Sequence, residues 1–389
     1  MPDLKSHYTV VIIGGGPAGC ATAIALQQLG IKDVLVAEAS DYTQPRIGES
    51  IPPDTRGLFS RLGLWQAFEC ENHEASMGSY SSWGSDRLGF NDFLFNPRGH
   101  GWHLDRLRFD QFMARETRLR GIDVVTEQAF KKIHYTLPVD RHGPQHHALA
   151  PLKLTFANGQ QLTTQFVVDA TGRAAKVARR LGATRKVDDS LVCIAAYFEH
   201  AKNTNAPATQ VPKRMTLLEA VEDGWWYTAR LPNNLTIAAI ASEQHIIQQK
   251  NLSQNTAWHH ALKNTQHVFD ALGQPAMPTS LKTWVAPSVL LNPPAGSCWL
   301  AVGDAASAYD PISSQGIYKA LKNALDAAPA IKDWLQGSSQ GLLDYRRSVG
   351  EQFIHYLEQR AYFYDLEQRW PNAPFWRGRQ LNAHGMAVA

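Results

Sequence analysis

The chain has 389 residues, 44% of them hydrophobic and 19% charged, enough for two ordinary domains or one large elaborated one, and too apolar for a disordered chain. Its 38 basic and 35 acidic residues leave a formal charge of +3, which gives no argument for nucleic acid. Four scattered cysteines form no CxxC pair; this excludes a zinc knuckle or a thioredoxin-type pair and fits a reducing cytoplasm. No segment reaches the roughly 18 apolar residues of a membrane span, and Val10–Ile13 is too short for a signal peptide.

In chain order, Tyr8 to Ile13 reads as a buried strand, followed by Gly14-Gly-Gly-Pro-Ala-Gly19, a helix from Cys20 to about Leu29 and a second strand, Asp33 to Glu38. A loop bearing Arg46-Ile-Gly-Glu-Ser50 leads to a helix near Arg56–Leu62. Residues 75–104 read as short strands, Leu107–Arg120 as a helix with Phe109, Phe112, Met113 and Thr117 along one side, and Ile122–Glu127 as a strand. Leu152–Phe156 and Gln161–Val168 form an expected hairpin across Asn158-Gly159. Strand patterns recur at Val192–Glu199, Met215–Val221, Trp225–Leu231 and Leu235–Ser242, before a polar helical stretch of about Gln244–His267. Cys298–Val302 is a further strand, and Gly316–Ile331 and Leu342–Tyr364 are helices, the last ending before Trp370-Pro371.

This order predicts an α/β protein with a Rossmann-like dinucleotide-binding domain and an inserted antiparallel β-sheet substrate domain. The first is expected in three parts, 1–75, 105–188 and 291–340. Strands at 76–104 and the block 189–290 form the second, and 341–389 a helical, aromatic-rich end.

Gly14, Gly16 and Gly19 make a G-x-G-x-x-G between strand and helix. The glycines permit the turn, the approach of a pyrophosphate and helix packing, and Pro17 and Ala18 within the same turn are expected to bind the cofactor with them. Glu38, with Ala39 behind it, is placed to accept hydrogen bonds from ribose hydroxyls, and its charge argues against a 2′-phosphate. Two distant strand ends extend the pattern: Phe166-Val-Val-Asp-Ala-Thr-Gly172, offering Asp169, Thr171 and Gly172, and Trp299-Leu-Ala-Val-Gly-Asp304, offering Gly303 and Asp304. Three strand ends suit FAD, which must be held at adenosine, pyrophosphate and flavin. Pro311, Gly316 and Ile317 then stand at a helix start whose N–H groups would face the flavin and stabilise its reduced charge.

These segments resemble the flavoprotein monooxygenase superfamily of the p-hydroxybenzoate hydroxylase fold, which includes flavin-dependent halogenases and geranylgeranyl reductases. The resemblance implies non-covalent FAD. It places Arg46 and Ser50 in the loop after the second strand, and Arg106 of Trp102-His-Leu-Asp-Arg-Leu-Arg-Phe-Asp110 near the cofactor. It also implies O2 chemistry with an external flavin reductant or NAD(P)H, since no second glycine-rich fingerprint is present. Halogenation is disfavoured: Met77-Gly-Ser-Tyr-Ser-Ser-Trp83 lacks the lysine expected there, and Gly224-Trp-Trp-Tyr227 does not keep the Trp-x-Trp-x-Ile-Pro spacing.

Ser82-Trp83-Gly84-Ser85, Gly224-Trp-Trp-Tyr227, Tyr362–Trp370 and Phe375-Trp376 are more similar to LodB/GoxB-type flavoproteins that mature tryptophylquinone enzymes. That implies a precursor protein carrying a target tryptophan as substrate. Hydroxylation or oxidation of a small aromatic metabolite, and a non-catalytic FAD-bearing chaperone, are the alternatives. Glu49 is a candidate base and Ser313 a candidate flavin contact, each with a structural alternative: a hydrogen-bonding carboxylate and a helix cap. His103 reads as a satisfied strand residue, and with His146-His147 in an expected loop no metal site is predicted. The aromatic tail packs on the body, walls the substrate pocket or docks a partner.

Overall fold

The computed structural model describes residues 4–44, 46–93, 95–135, 151–199 and 214–384; His146-His147 lies outside them. The dinucleotide side is a seven-stranded sheet. His7–Ile13 is its centre, pairing in parallel with Val34–Ala37 and with Gln161–Asp169, and Asp123–Val125 continues the parallel order outward. The long strand Gln161–Asp169 serves two partners. Its first half closes the antiparallel hairpin with Leu152–Phe156, and its last three residues pair in parallel with Trp299–Ala301. That second pairing, between residues 132 apart in sequence, brings the Trp299–Ala301 strand beside the glycine-rich turn.

The Pro17–Gln28 helix starts with Pro at its first position and is buried on nearly every side from Gly19 to Leu26. Small residues make this possible: a Cβ on Gly19 would lie 1.9 Å from the Gly14 carbonyl oxygen. Gly303 is equally constrained, with a φ of +60° and a Cβ that would stand 2.7 Å from Ala18 Cβ. Gly19 lets the first helix close on its own turn, and Gly303 lets the third strand end approach that helix.

The second sheet runs Lys282–Val285, Leu191–Glu199, Leu235–Glu243, Gly224–Leu231, Thr216–Val221, Gly78–Ser82, Gly89–Asp92. The expected antiparallel order holds except between Thr216–Val221 and Gly78–Ser82, which pair in parallel. The reason is topological: the early strands enter this sheet from the far side of the chain rather than through a hairpin. Period-2 alternation gives the sheet two chemistries. Trp226 and Ile240 pack with Trp258 under the helices, whereas Trp225, Ala239 and Ala241 face the dinucleotide side.

The 244–267 stretch is not one helix but Gln244–Gln249 and Asn255–Lys263, with Val268–Ala271 beyond, and Asn251 at a φ of +53° breaks the first from the second. Several elements escaped the pattern, among them the strand Phe130–Tyr135, whose Lys-Lys hides the alternation, the short helices Trp65–Glu69 and Lys176–Arg180, the strand Thr184–Val187 and the helix Pro374–His384. The Gln340–Asp365 helix buries Leu342, Tyr345, Val349, Phe353, Tyr356, Leu357 and Tyr364, the residues its spacing places on one face. Among the described residues no helix is long and apolar enough to cross a membrane, and no cluster of potential metal ligands occurs.

Candidate active site

A cavity of about 650 Å³ lies between the carboxyl ends of the parallel strands and the alanine-rich face of the second sheet. Open parallel sheets bind ligands at this edge. Gly14, Gly16, Pro17, Ala18, Glu38, Ala39, Arg46, Glu49, Ser50, Arg106, Thr171, Gly172, Asp304, Pro311, Ser313, Gly316 and Ile317 all line it. Three anticipated residues do not. Gly19 and Gly303 serve the packing described above. Asp169 is buried, and its carboxylate accepts the N–H groups of Thr171, Val177 and Ala178 at 2.9, 2.9 and 2.8 Å. It shapes the Ala170–Gly172 turn from behind instead of reaching a ligand.

The residues present suit a dinucleotide. Gly14 has a φ of +109°, and a Cβ there would meet the Ala170 carbonyl oxygen at 2.2 Å, so the turn admits only glycine. Gly16 has no such clash, its nearest neighbour being Arg46 Nη1 at 3.5 Å; the missing side chain keeps the cavity floor open. Gly16 also caps the first helix with no side-chain partner on its leading N–H groups, leaving donors for phosphate. At the other end, the twenty-residue helix Gly316–Leu335 likewise begins without a side-chain cap. Ser313 does not provide one: its hydroxyl donates to the Asp310 carbonyl at 2.9 Å and accepts the N–H of Gln315, just before the helix, at 3.3 Å.

Glu38 accepts the Gly15 N–H at 2.6 Å on one oxygen, and Ser40 and Arg46 on the other. Burial opposes its ionisation, but these donors outweigh it and the pKa is lowered. Arg46 bridges Glu38 at 3.1 Å and Asp110 at 3.2 Å. Arg106 shares Asp110 and donates to the carbonyls of Ile47 and Gly48, so it clamps the 46–50 loop. Its Nε is buried without a hydrogen-bond partner among the described residues. Asp304 faces Lys319 at 2.9 Å and Arg173 at 3.6 Å. Burial again opposes ionisation, and the two cations lower the pKa.

The opposite wall carries Trp225, Tyr227 and Trp284 with Cys193, Ala239, Ala241 and Ala286 between them. Burial pushes the Cys193 thiol up to about 12, which makes it an inert filler. Glu49 enters this region from the clamped loop, 4% exposed. Tyr197 O–H donates to its Oε1 at 3.2 Å and the Gly48 N–H to its Oε2 at 3.0 Å. Burial dominates over the Arg106 charge, so the Glu49 pKa is raised. The neighbouring Ser50 hydroxyl is 2.9 Å from Tyr227 Oη. A carboxyl group able to hold or release a proton thus sits beside an aromatic slot.

The described tail residues do not line the cavity; they brace its wall. Tyr364 Oη accepts the Trp225 indole N–H at 3.0 Å and donates to Asp310 at 2.8 Å. Tyr356 Oη accepts the Asp310 N–H at 2.7 Å, and Arg360 bonds Ser288, Asp188 and Asp189. Sequence reasoning missed Tyr197, Trp284, Asp110, Lys319 and this bracing. Neither of the first two carries a periodic signal, since Tyr197 follows six consecutive buried residues and no residue of Lys282–Val285 is buried. Asp110, four residues after Arg106 on one helix, could have been found by spacing, whereas Lys319 with Asp304 leaves no local trace.

The family profile described as FAD binding domain matches residues 7–361. Over 379 residues the chain is 29% identical to LodB of Marinomonas mediterranea, provisionally described as an FAD-dependent oxidoreductase, with 96% of each chain covered. It is 24% identical to tryptophan 2-halogenase of Chondromyces crocatus, covering 99% of this chain and 73% of that one. Among solved structures, the myxobacterial chondrochloren halogenase CndH superposes with a TM-score of 0.82 at 23% identity, covering 96% of this chain and 86% of its own. The peptidyl tryptophan dihydroxylase QhpG superposes at 0.75 and 22% identity, covering 96% and 79%. With its three strand ends gathered on one cavity, the chain belongs to the FAD-binding-domain family and is an FAD-dependent oxidoreductase.

Proposed function

We propose that this protein is a monooxygenase that hydroxylates a tryptophan side chain of a partner protein during tryptophylquinone cofactor biogenesis. The observation that carries the reading is the wall of Trp225, Tyr227 and Trp284, spaced by alanines, with buried Glu49 at its edge. Flat, water-poor walls suit an indole ring, and aromatic faces pack on it without demanding polar partners. Support comes from the likeness to LodB and from the fold shared with QhpG, a peptidyl tryptophan dihydroxylase essential for tryptophylquinone cofactor biogenesis.

The FAD would be held by Gly14 and Gly16 with the N-terminus of the first helix, by Glu38 and Arg46, by Thr171–Gly172 and Asp304, and by the start of the Gly316 helix. When reduced, it supplies the electrons for activating O2, delivered by NAD(P)H or an external flavin reductant. The protein's own work is binding, orientation and proton handling. Arg106 fixes the loop that carries Glu49. Tyr197 holds the Glu49 carboxyl group in place, where it takes up the proton displaced from the ring carbon as oxygen is added. The alanines leave the slot open while Trp225, pinned by Tyr364, fixes its floor.

Halogenation fits less well. Lys176 is the only lysine among the described lining residues, and it is exposed on the dinucleotide side. The test is co-expression of the candidate oxidase precursor with this chain and, separately, with its Glu49→Gln variant, followed by peptide mass analysis. The expected result is added oxygen on one tryptophan with the wild type alone. An unmodified peptide in both samples refutes the reading, and a halogenated one replaces it.

A further inference from the structure

The stretch 170–187 contains Arg173, Lys176, Arg179, Arg180, Arg185 and Lys186 and no acidic residue. In the fold these residues stay together. Lys176, Arg179 and Arg180 are on the Lys176–Arg180 helix, and Arg185 and Lys186 on the strand Thr184–Val187. The helix packs against the strand Phe130–Tyr135, which adds exposed Lys131 and Lys132.

Arg173 is spent on Asp304 and on the carbonyls of Pro287 and Tyr309. The others have no ion pair among the described residues, and Lys176, Arg179, Arg180 and Lys186 are exposed. The bounding acids are occupied, Asp169 by backbone N–H groups and Asp188 by Arg360. The local field is strong enough to act on its own members: burial first, then the charges of Arg179 and Arg173, push the Arg185 guanidinium below its usual value. In a chain of formal charge +3, this is a concentrated positive surface.

Its position gives it a purpose. Lys176 lines the cavity together with Thr171 and Phe130, so the patch meets the cavity on the same side as Glu38 and Ala39. We propose that this basic face is an electrostatic landing surface for FAD, capturing the dinucleotide by its negatively charged pyrophosphate and steering it into the cavity. Beyond Lys176, the surface acts on the approach and not on the bound state, because exposed Arg179, Arg180 and Lys186 lie outside the lining. Such steering raises association rates by about ten- to a thousandfold and weakens with salt. A protein that loads quickly from dilute flavin can also accept FAD reduced elsewhere, which suits a chain without a second dinucleotide fingerprint.

The experiment is stopped-flow capture of FAD by the deflavinated full-length chain, followed by quenching of flavin fluorescence. The Arg179→Glu/Arg180→Glu/Lys186→Glu variant is expected to load about tenfold more slowly or worse, with a dissociation rate within about twofold of wild type. A charge-matched control, Arg61→Glu/Lys263→Glu/Arg347→Glu, is expected to load at close to the wild-type rate. Wild-type loading should slow between 0.01 and 0.15 M salt, as the screening length falls from about 30 to 8 Å, and the patch variant should respond far less. This salt series needs no variant and therefore does not depend on the variant folding. Equal loading rates for patch and control variants overturn the proposal, as does salt-independent wild-type loading or a change confined to dissociation. Competition by NADPH that slows wild-type loading and disappears in the patch variant also overturns it, assigning the face to the nicotinamide dinucleotide.

Discussion

Tyr364 joins the tail helix to the cavity wall, and replacing it by Phe isolates that connection. The ring is 1% exposed and its hydroxyl makes two buried hydrogen bonds, 3.0 Å from the Trp225 indole nitrogen and 2.8 Å to Asp310. Tyr364→Phe preserves the ring but leaves a buried indole N–H unsatisfied and removes a donor from a buried carboxyl group. Each loss costs about 1–3 kcal/mol, with the carboxyl partner near the upper end, so about 4 kcal/mol is expected in all. Unfolding entropy runs at about 2.1 cal/mol/K per residue, which for 389 residues gives about 0.8 kcal/mol/K and a fall in Tm of about 5 °C. Calorimetry of the wild type, Tyr364→Phe and Tyr362→Phe measures this. The last removes a hydroxyl from a ring 62% exposed and should lie within about 0.5 kcal/mol of wild type.

The penalty also has a pH signature. Burial raises the Asp310 pKa, so the folded state binds this proton more tightly than the unfolded chain and the group's contribution to stability falls as pH rises between the two values. Losing the Tyr364 donor raises the folded value further. The gap between variant and wild type should therefore shrink as the pH is lowered and Asp310 takes up its proton. A Tyr364→Phe protein indistinguishable from Tyr362→Phe, or a gap that widens in acid, refutes the bracing argument.

Gly16→Val should give a folded but colourless protein, because the new Cβ meets nothing closer than 3.5 Å in the chain while filling the cavity floor. An FAD Kd raised by about 100-fold, or ~2.7 kcal/mol, is expected by titration, and full flavin retention would remove Gly16 from the site. Glu49→Gln should abolish the acidic limb of the kcat/KM–pH profile, which in the wild type lies above the ordinary carboxylate range because burial raises that pKa. The same shift predicts that the wild type loses stability relative to this variant as pH rises through the window between the ordinary and raised values. A wild-type limb that persists in Glu49→Gln would assign it to another group. Arg360→Met should cost about 3 kcal/mol by denaturant unfolding, since Asp189, 8% exposed in its side chain, loses its cation; a loss below about 0.5 kcal/mol would show that the ion pair is dispensable.

The dinucleotide half was legible because its chemistry is local. A strand of β-branched residues, a turn that only glycine closes and a helix of small residues occupy consecutive positions, so Gly14, Gly16 and Glu38 could be placed by spacing alone. Asp169 shows the limit of that logic. Its segment was correctly placed at a strand end, yet whether an acid there faces a ligand or ties down its own turn depends on where the next helix begins. Trp284, which lines the cavity, and Tyr197, which bonds Glu49, were hidden for another reason: they sit on a sheet whose register is set by partners forty or more residues away. The 244–267 stretch misled because polar, helix-permissive residues carry no mark of the breaks between helices. Ion pairs such as Lys319 with Asp304 and Arg46 with Asp110 are contacts of folded space, and composition is silent about them.

The bracing of the cavity wall by Tyr356, Arg360 and Tyr364 bears on how the protein is made. Every glycine-rich signature precedes these side chains in the chain, so a nascent polypeptide holds all the recognisable elements of a nucleotide fold while its wall still lacks support. Trp225 and Asp310 receive their partners only once the Gln340–Asp365 helix has been made. Finishing the wall is thereby tied to synthesis of that helix, and a product truncated before it would keep the signatures without a finished chamber.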